Sequence, residues 1–202
     1  MSEKGLEHSQ RKPSLDNHPL ADRGHARGDQ SGGKMIARSG SNRWHNLIVS
    51  NTAVATGSKM HGHKCEIYIS NMRVKLANNL VCYPDIVYVS GEPRFADPSS
   101  ELLLNPTVVI EIYSSTTNTA DKTKKVESFL EMECIRECLL LKEDEMRVEH
   151  YARQNAKQWL YRIYNERDDV VSLDSINCKI SLSEIYSQIK FRQAEFASRA
   201  VN

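Results

Sequence analysis

The chain has the pattern of an α/β protein in which a mixed central sheet is flanked by helices and extended by a C-terminal β-hairpin. Three observations lead there. Ile86-Val87-Tyr88-Val89 and Thr107-Val108-Val109-Ile110, continuing to Tyr113, are β-branched and aromatic with little polar interruption, as in strands covered on both faces. An amphipathic stretch after Asn118 separates them from a third apolar run, Glu137 to Leu141, giving a strand, helix, strand order. Two further strand-like segments, Arg147–Tyr151 and Gln158–Tyr164, follow around Asn155 and Ala156 as a hairpin.

Residues 1–33 hold no aromatic residue, only scattered apolar ones, and several glycines and prolines. Such a segment buries too little surface to offset its ordering entropy, which predicts a flexible N-terminal tail. A helix is expected to start at Trp44-His45-Asn46, capped by Ser41 or Asn42, and to run through Leu47, Ile48 and Val54. A histidine in that first turn suits either a phosphate-orienting role or simple capping and packing. Arg73 and Lys75 alternate on a predicted half-exposed strand. Val81-Cys82-Tyr83 then leads into the Ile86–Val89 strand.

For the second helix, Ser114 to Thr119 offers turn and cap residues, and Asp121 places an acid in the first turn. Val126, Phe129, Leu130 and Glu133 step by three and four along its apolar stripe. Beside them Asp121, Lys125 and Phe129 follow at i+4 steps, while Lys122 and Lys124 are expected in solvent. Val170 to Leu173 predicts a short strand, and Leu182 to Ile189 a closing helix capped by Ser181 or Ser183. One domain over residues 34–192 follows, with 193–202 as a C-terminal tail; 202 residues suit a single core.

A formal charge of +1 gives no strong overall pull on polyanions. Five cysteines without regular spacing point to a reducing, cytoplasmic setting. Cys134 and Cys138 would face each other if the helix continued that far, but His61 and His63 add no recognisable zinc pattern. Cys65, Cys82 and Cys178 fall in strand contexts that suit a core. No signal-peptide core or membrane-length apolar run is evident.

Chemistry concentrates at Pro84-Asp85, Glu111 and Lys125. Two acids at the ends of neighbouring buried strands require a metal, a lysine or water, because desolvating an ionised carboxylate costs several kcal/mol. Hard cations such as magnesium need only one or two such ligands. Asp85 alone also suits a turn after proline, and Lys125 an ion pair with Asp121.

These residues resemble the Uma-two family of restriction-endonuclease-like proteins, within the PD-(D/E)xK nuclease superfamily, from about Lys34 to Tyr186. The resemblance lies in Ser41–Ile48, Ile69–Lys75, Tyr83-Pro84-Asp85, Asn105–Ile112, Ser114–Thr117, Asp121–Lys125, Met146–Glu149 and Leu182–Tyr186. It implies a restriction-endonuclease-like core, DNA as substrate, and Asp85 and Glu111 as ligands of magnesium, with manganese as a substitute. Tyr113 stands where the short superfamily motif has its lysine, and the resemblance carries that role to Lys125, facing the scissile phosphate or attacking water. Lys34 aligns where family members have the acid of an Asp-Gly-Glu-like turn, so a fold that no longer cuts, acting as a DNA-binding or self-associating module, is the second expectation. A protein with no nucleic-acid role is the third. Cutting both strands implies a homodimer, since one site cuts one strand at a time.

Overall fold

The computed structural model describes residues 28–31, 34–37, 42–60, 64–77, 80–96, 98–99 and 101–191, the first two stretches by their backbone. Its frame is a mixed sheet. In chain order the first elements are β1 (Gly28–Ser31), β2 (Lys34–Ala37), α1 (Arg43–Lys59), β3 (Cys65–Ile69), β4 (Arg73–Lys75), β5 (Val81–Cys82), β6 (Ile86–Ser90) and β7 (Leu102–Leu103). After them come β8 (Val108–Tyr113), α2 (Thr119–Leu130), β9 (Glu137–Lys142), β10 (Val148–Asn155), β11 (Gln158–Tyr164), β12 (Val170–Leu173), β13 (Cys178–Ser181) and α3 (Leu182–Ile185).

The central sheet has the order β11-β10-β9-β8-β6-β3. Only β8 and β9 in it are parallel. A parallel pair cannot be joined by a tight turn, and α2 supplies the crossover between them. Being central, β6, β8 and β9 are buried along almost their whole length. Alternate residues serve opposite faces: Tyr88, Ile110 and Leu139 join the cluster that includes Ile48 and Val49 of α1, whereas Val87, Val109 and Leu140 join the one that includes Val126 and Phe129 of α2.

Asn42 caps α1 by accepting from the backbone N–H groups of Trp44 and His45, and Asn118 caps α2 in the same way. On α1 the buried positions Ile48, Val49, Thr52, Ala53 and Thr56 make one stripe. Thr56 and the Tyr88 hydroxyl hydrogen-bond at 2.8 Å, so the helix and β6 are tied by a polar contact inside the core. The C-terminal β12–β13 hairpin and α3 pack on this α1 side.

On the α2 side lies a small sheet of order β5-β4-β7. The chain passes from it into the central sheet twice, through Tyr83-Pro84-Asp85 and through Asn105-Pro106, so a residue without a backbone donor stands at each crossing. The segment expected as one run from Val81 is therefore two strands in two sheets.

Other expectations change as well. Gly28–Ser31 pairs with Lys34–Ala37, so the segment expected as tail contains a strand; residues 1–27 and 192–202 lie outside the described residues. The closing helix ends at Ile185, four residues before Ile189, and Ser181 caps it through a capping box with Glu184. The strand context expected at Cys178 is β13, which runs to Ser181. Because α2 stops at Leu130, Cys134 and Cys138 share no helix face, and Cys138 is instead buried in β9. Cys82 and Cys178 are buried, Cys65 half-buried. Among the described residues no helix is long and apolar enough to cross a membrane.

Phe129 is fully buried and pins α2 to the sheet. Phe129→Ala is expected to cost about 3–5 kcal/mol in urea denaturation, against less than about 0.5 kcal/mol for Lys124→Ala on the exposed face.

Candidate active site

Asp85 stands one residue before β6, and Glu111 lies within β8. The antiparallel ladder pairs Ile86 with Ile110, so the next step along it sets Asp85 against Glu111. Both are buried, Asp85 to 1% exposure and Glu111 to 8%. Burial at that level demands donors. Asp85 Oδ2 accepts from the backbone N–H of Ile112 at 2.8 Å, and its Oδ1 lies 3.0 Å from His45 Nε2. Glu111 Oε1 lies 2.9 Å from Lys125 Nζ. The lysine thus leans from α2 toward Glu111, and the predicted trio occupies one end of the β6–β8 ladder.

His45 enters this group from the other layer. The Asn42 cap fixes the first turn of α1 so that the imidazole faces Asp85, and Asn42 Nδ2 also donates to Glu143 Oε1 at 2.9 Å. Glu143 Oε2 is 3.9 Å from His45 Nδ1. His45 thus contacts an acid of the site directly, a role apart from the phosphate-orienting and the capping or packing ones expected for it. Glu143, which no sequence pattern singles out, follows β9, and its backbone N–H donates to Tyr113 O at 2.9 Å.

A second acid cluster extends the same row of the sheet. Leu140 is the ladder partner of both Glu111 and Glu149, so the two acids flank it on the α2 face. Glu149 accepts from the Tyr113 hydroxyl at 2.7 Å, from Lys122 Nζ at 3.1 Å to each oxygen, and from Arg147 Nε at 3.3 Å. Burial alone would raise its carboxyl, yet hydrogen bonds from Tyr113 and Lys122, with Arg147 beside them, hold it below the ordinary glutamate value. Burial, then the bond to Glu149, pushes the Tyr113 hydroxyl up. Lys122 was expected in solvent; it is instead paired with Glu149 and sits 3.9 Å from the centre of the Tyr113 ring. Glu149 lies in the polar-rich run Arg147-Val148-Glu149-His150-Tyr151, which does not mark it as the apolar run of β8 marks Glu111.

α2 therefore straddles β9 with two lysines one turn apart, Lys125 reaching Glu111 and Lys122 reaching Glu149. Their i,i+3 spacing and the strand between the two acids explain why one helix serves both. Among the described residues no group of three or more His, Cys, Asp or Glu side chains is placed to hold a metal. The Asp85–Glu111 pair is an oxygen-only donor set, which suits magnesium or manganese, since such ions complete their shell with water and substrate phosphate.

The Uma2 family model, described as "Putative restriction endonuclease", matches residues 20–183. The chain belongs to this family. Two Synechocystis sp. (strain ATCC 27184 / PCC 6803 / Kazusa) proteins resemble this Uma2 chain: "Uncharacterized protein sll1609", 30% identical over 63% of the chain and 73% of the relative, and "Uncharacterized protein slr1290", 25% identical over 79% and 83%. Its fold matches that of a crystal structure from Anabaena variabilis ATCC 29413, described as "a putative nuclease belonging to DUF820", with a TM-score of 0.64, 19% identity, and coverage of 79% of this chain and 89% of that one.

The depressed carboxyl of Glu149 makes a stability prediction. Its contribution is complete above the unfolded glutamate value of 4.5 and is lost as pH falls through the lower folded value. Glu149→Gln is expected to cost roughly 1–3 kcal/mol in urea denaturation at neutral pH. The gap to wild type should stay constant down to the ordinary glutamate range and narrow below it.

Proposed function

We propose that the chain is a magnesium-dependent DNA endonuclease that hydrolyses phosphodiester bonds at Asp85, Glu111 and Lys125. The observation that carries this reading is the 2.9 Å approach of Lys125 Nζ to Glu111 Oε1, with Asp85 set opposite that glutamate by the ladder. Membership of a family described as "Putative restriction endonuclease" supplies the substrate class.

In this reading Asp85 and Glu111 hold the cation, with manganese able to replace magnesium. The ion would supply Lewis acidity toward phosphate oxygens and water. The chain's own part is positioning and charge. Lys125 offers a compact ammonium to the phosphate, stabilising the charge that develops as the bond to the leaving oxygen breaks. Its pairing with Glu111 keeps it on the site before substrate arrives. His45 is a positioning residue: its contact with Asp85 Oδ1, together with the Ile112 N–H on Oδ2, fixes the plane of that carboxylate.

Purified protein is expected to nick supercoiled plasmid with magnesium and to stop with EDTA. Asp85→Ala, Glu111→Ala and Lys125→Ala should each lower the rate by roughly a hundredfold or more; undiminished cutting by all three would refute the assignment. His45→Ala should lower kcat with little change in KM, and His45→Gln, which keeps a donor toward Asp85, should recover part of the loss. The homodimer expected for double-strand cutting belongs to the same proposal, and sedimentation combined with the ratio of linear to nicked product reads it.

One feature favours a second reading. By the family resemblance Lys34 stands in place of the acid of an Asp-Gly-Glu-like turn, and a cation in place of an acid ligand would repel a divalent ion by several kcal/mol at short range. In that case the fold binds DNA without cutting. Lys34→Glu separates the two: gained cleavage in the plasmid assay means one lost ligand on an intact scaffold, whereas binding without cleavage in either form selects the non-cutting module.

A further inference from the structure

On the face of the central sheet where α2 packs, the edge strand β11 stays open to solvent: Tyr161 is 45% exposed and Ile163 44%. The β10–β11 register sets Tyr151 against Tyr161 and Arg153 against Trp159. The two tyrosine rings lie 4.8 Å apart at 40°, and the Arg153 guanidinium lies 4.2 Å from the centre of the Trp159 ring. Arg147 interacts with Tyr161, and Lys122 lies over Tyr113. Rings and cations thus alternate along the strip, in a pattern that a purely packed edge does not need.

Lys122, Arg147, Arg153 and the exposed Lys157 at the hairpin tip outnumber the carboxylates facing them, Glu149 and, beside Arg153, Glu133. The whole chain has a net charge of only +1. Arg153 also donates to the carbonyls of Leu130, Met132 and Ile135, which locks its guanidinium against Trp159. A rigid, cation-backed aromatic surface fits a polyanion with flat apolar faces, since stacking accepts any base and the cations meet the backbone.

Spacing decides between paired and unpaired DNA. Tyr161 and Trp159 are two residues apart on a strand, about 7 Å. That is about twice the 3.4 Å rise per nucleotide in a stacked strand, so successive bases reach both rings only if they are unstacked. The strip also adjoins the proposed site. Glu149 is two strands from Glu111, about 10 Å, and Lys122 stands on the α2 turn between them.

We infer that the α2-side face of the β10–β11 hairpin, centred on Tyr161, Trp159 and Tyr151, binds an unpaired DNA strand and leads it past Lys122 to the Asp85–Glu111–Lys125 site. The inference rests on the endonuclease reading for its substrate class. Its test is a binding measurement made without cleavage: fluorescence anisotropy of labelled oligothymidylate, and of the same oligonucleotide annealed to oligoadenylate, in EDTA. Tyr161→Ala combined with Trp159→Leu should weaken oligothymidylate binding about tenfold, with duplex affinity held within about twofold. Tyr161→Phe, which keeps the ring, should bind like wild type, and Tyr161→Ala alone, at an exposed position, guards against a folding defect. Because binding is read in EDTA, a chain that never cuts would still reveal the surface. Unchanged oligothymidylate affinity in the double variant, equal losses on single strand and duplex, or no binding by wild type would overturn it. So would a dimer that dissociates in the double variant while oligothymidylate affinity holds, which would assign the face to a second copy.

Discussion

Asp85 and Glu111 sit side by side at the centre of the sheet, where both faces are covered, and much of the architecture answers that constraint. An ionised acid in such a place is tolerated only with donors close by. For Asp85 they come from the backbone of the neighbouring strand and from His45 on α1; for Glu111 one comes from Lys125 on α2. The helices on opposite faces of the sheet are thereby tied to the same pair of residues. Each helix is also bound by apolar burial, which fixes its distance from the sheet, while the polar contacts fix which turn faces the acids.

The parallel β8–β9 pair makes this possible. Its crossover must pass over one face of the sheet, so the helix that follows Glu111 returns across the strand carrying it. A lysine displaced from the strand to that helix can still reach the acid, because the helix begins where the strand ends. The same geometry places Lys122 over Glu149, two strands away, with Leu140 filling the gap. A single helix therefore organises a row of charges that no single strand could hold.

Legibility in the sequence differed residue by residue. β6, β8 and β9 were readable because continuous β-branched runs have few other uses, and both Asn caps lay where turn residues met helical periodicity. Asp85, Glu111 and Lys125 stood out as charges within or beside apolar runs. Lys122 was misjudged because helical spacing gives the face of a residue and says nothing about the acid that a distant strand brings opposite. The shortened closing helix was obscured because a four-residue helix has too few positions to show a period.

By itself, the sequence determined the central strands, the two long helices, and the identity of the acids Asp85 and Glu111, because these depend on neighbours within a few positions along the chain. The tertiary structure alone decided that Asp85 opposes Glu111, that His45 crosses from the other layer to meet Asp85, and that Glu149 stands two strands from Glu111 with its own lysine. Those relations depend on ladder register and on the path of the α2 crossover. Both are set by the packing of segments far apart in sequence, whose combined burial energy no local pattern records.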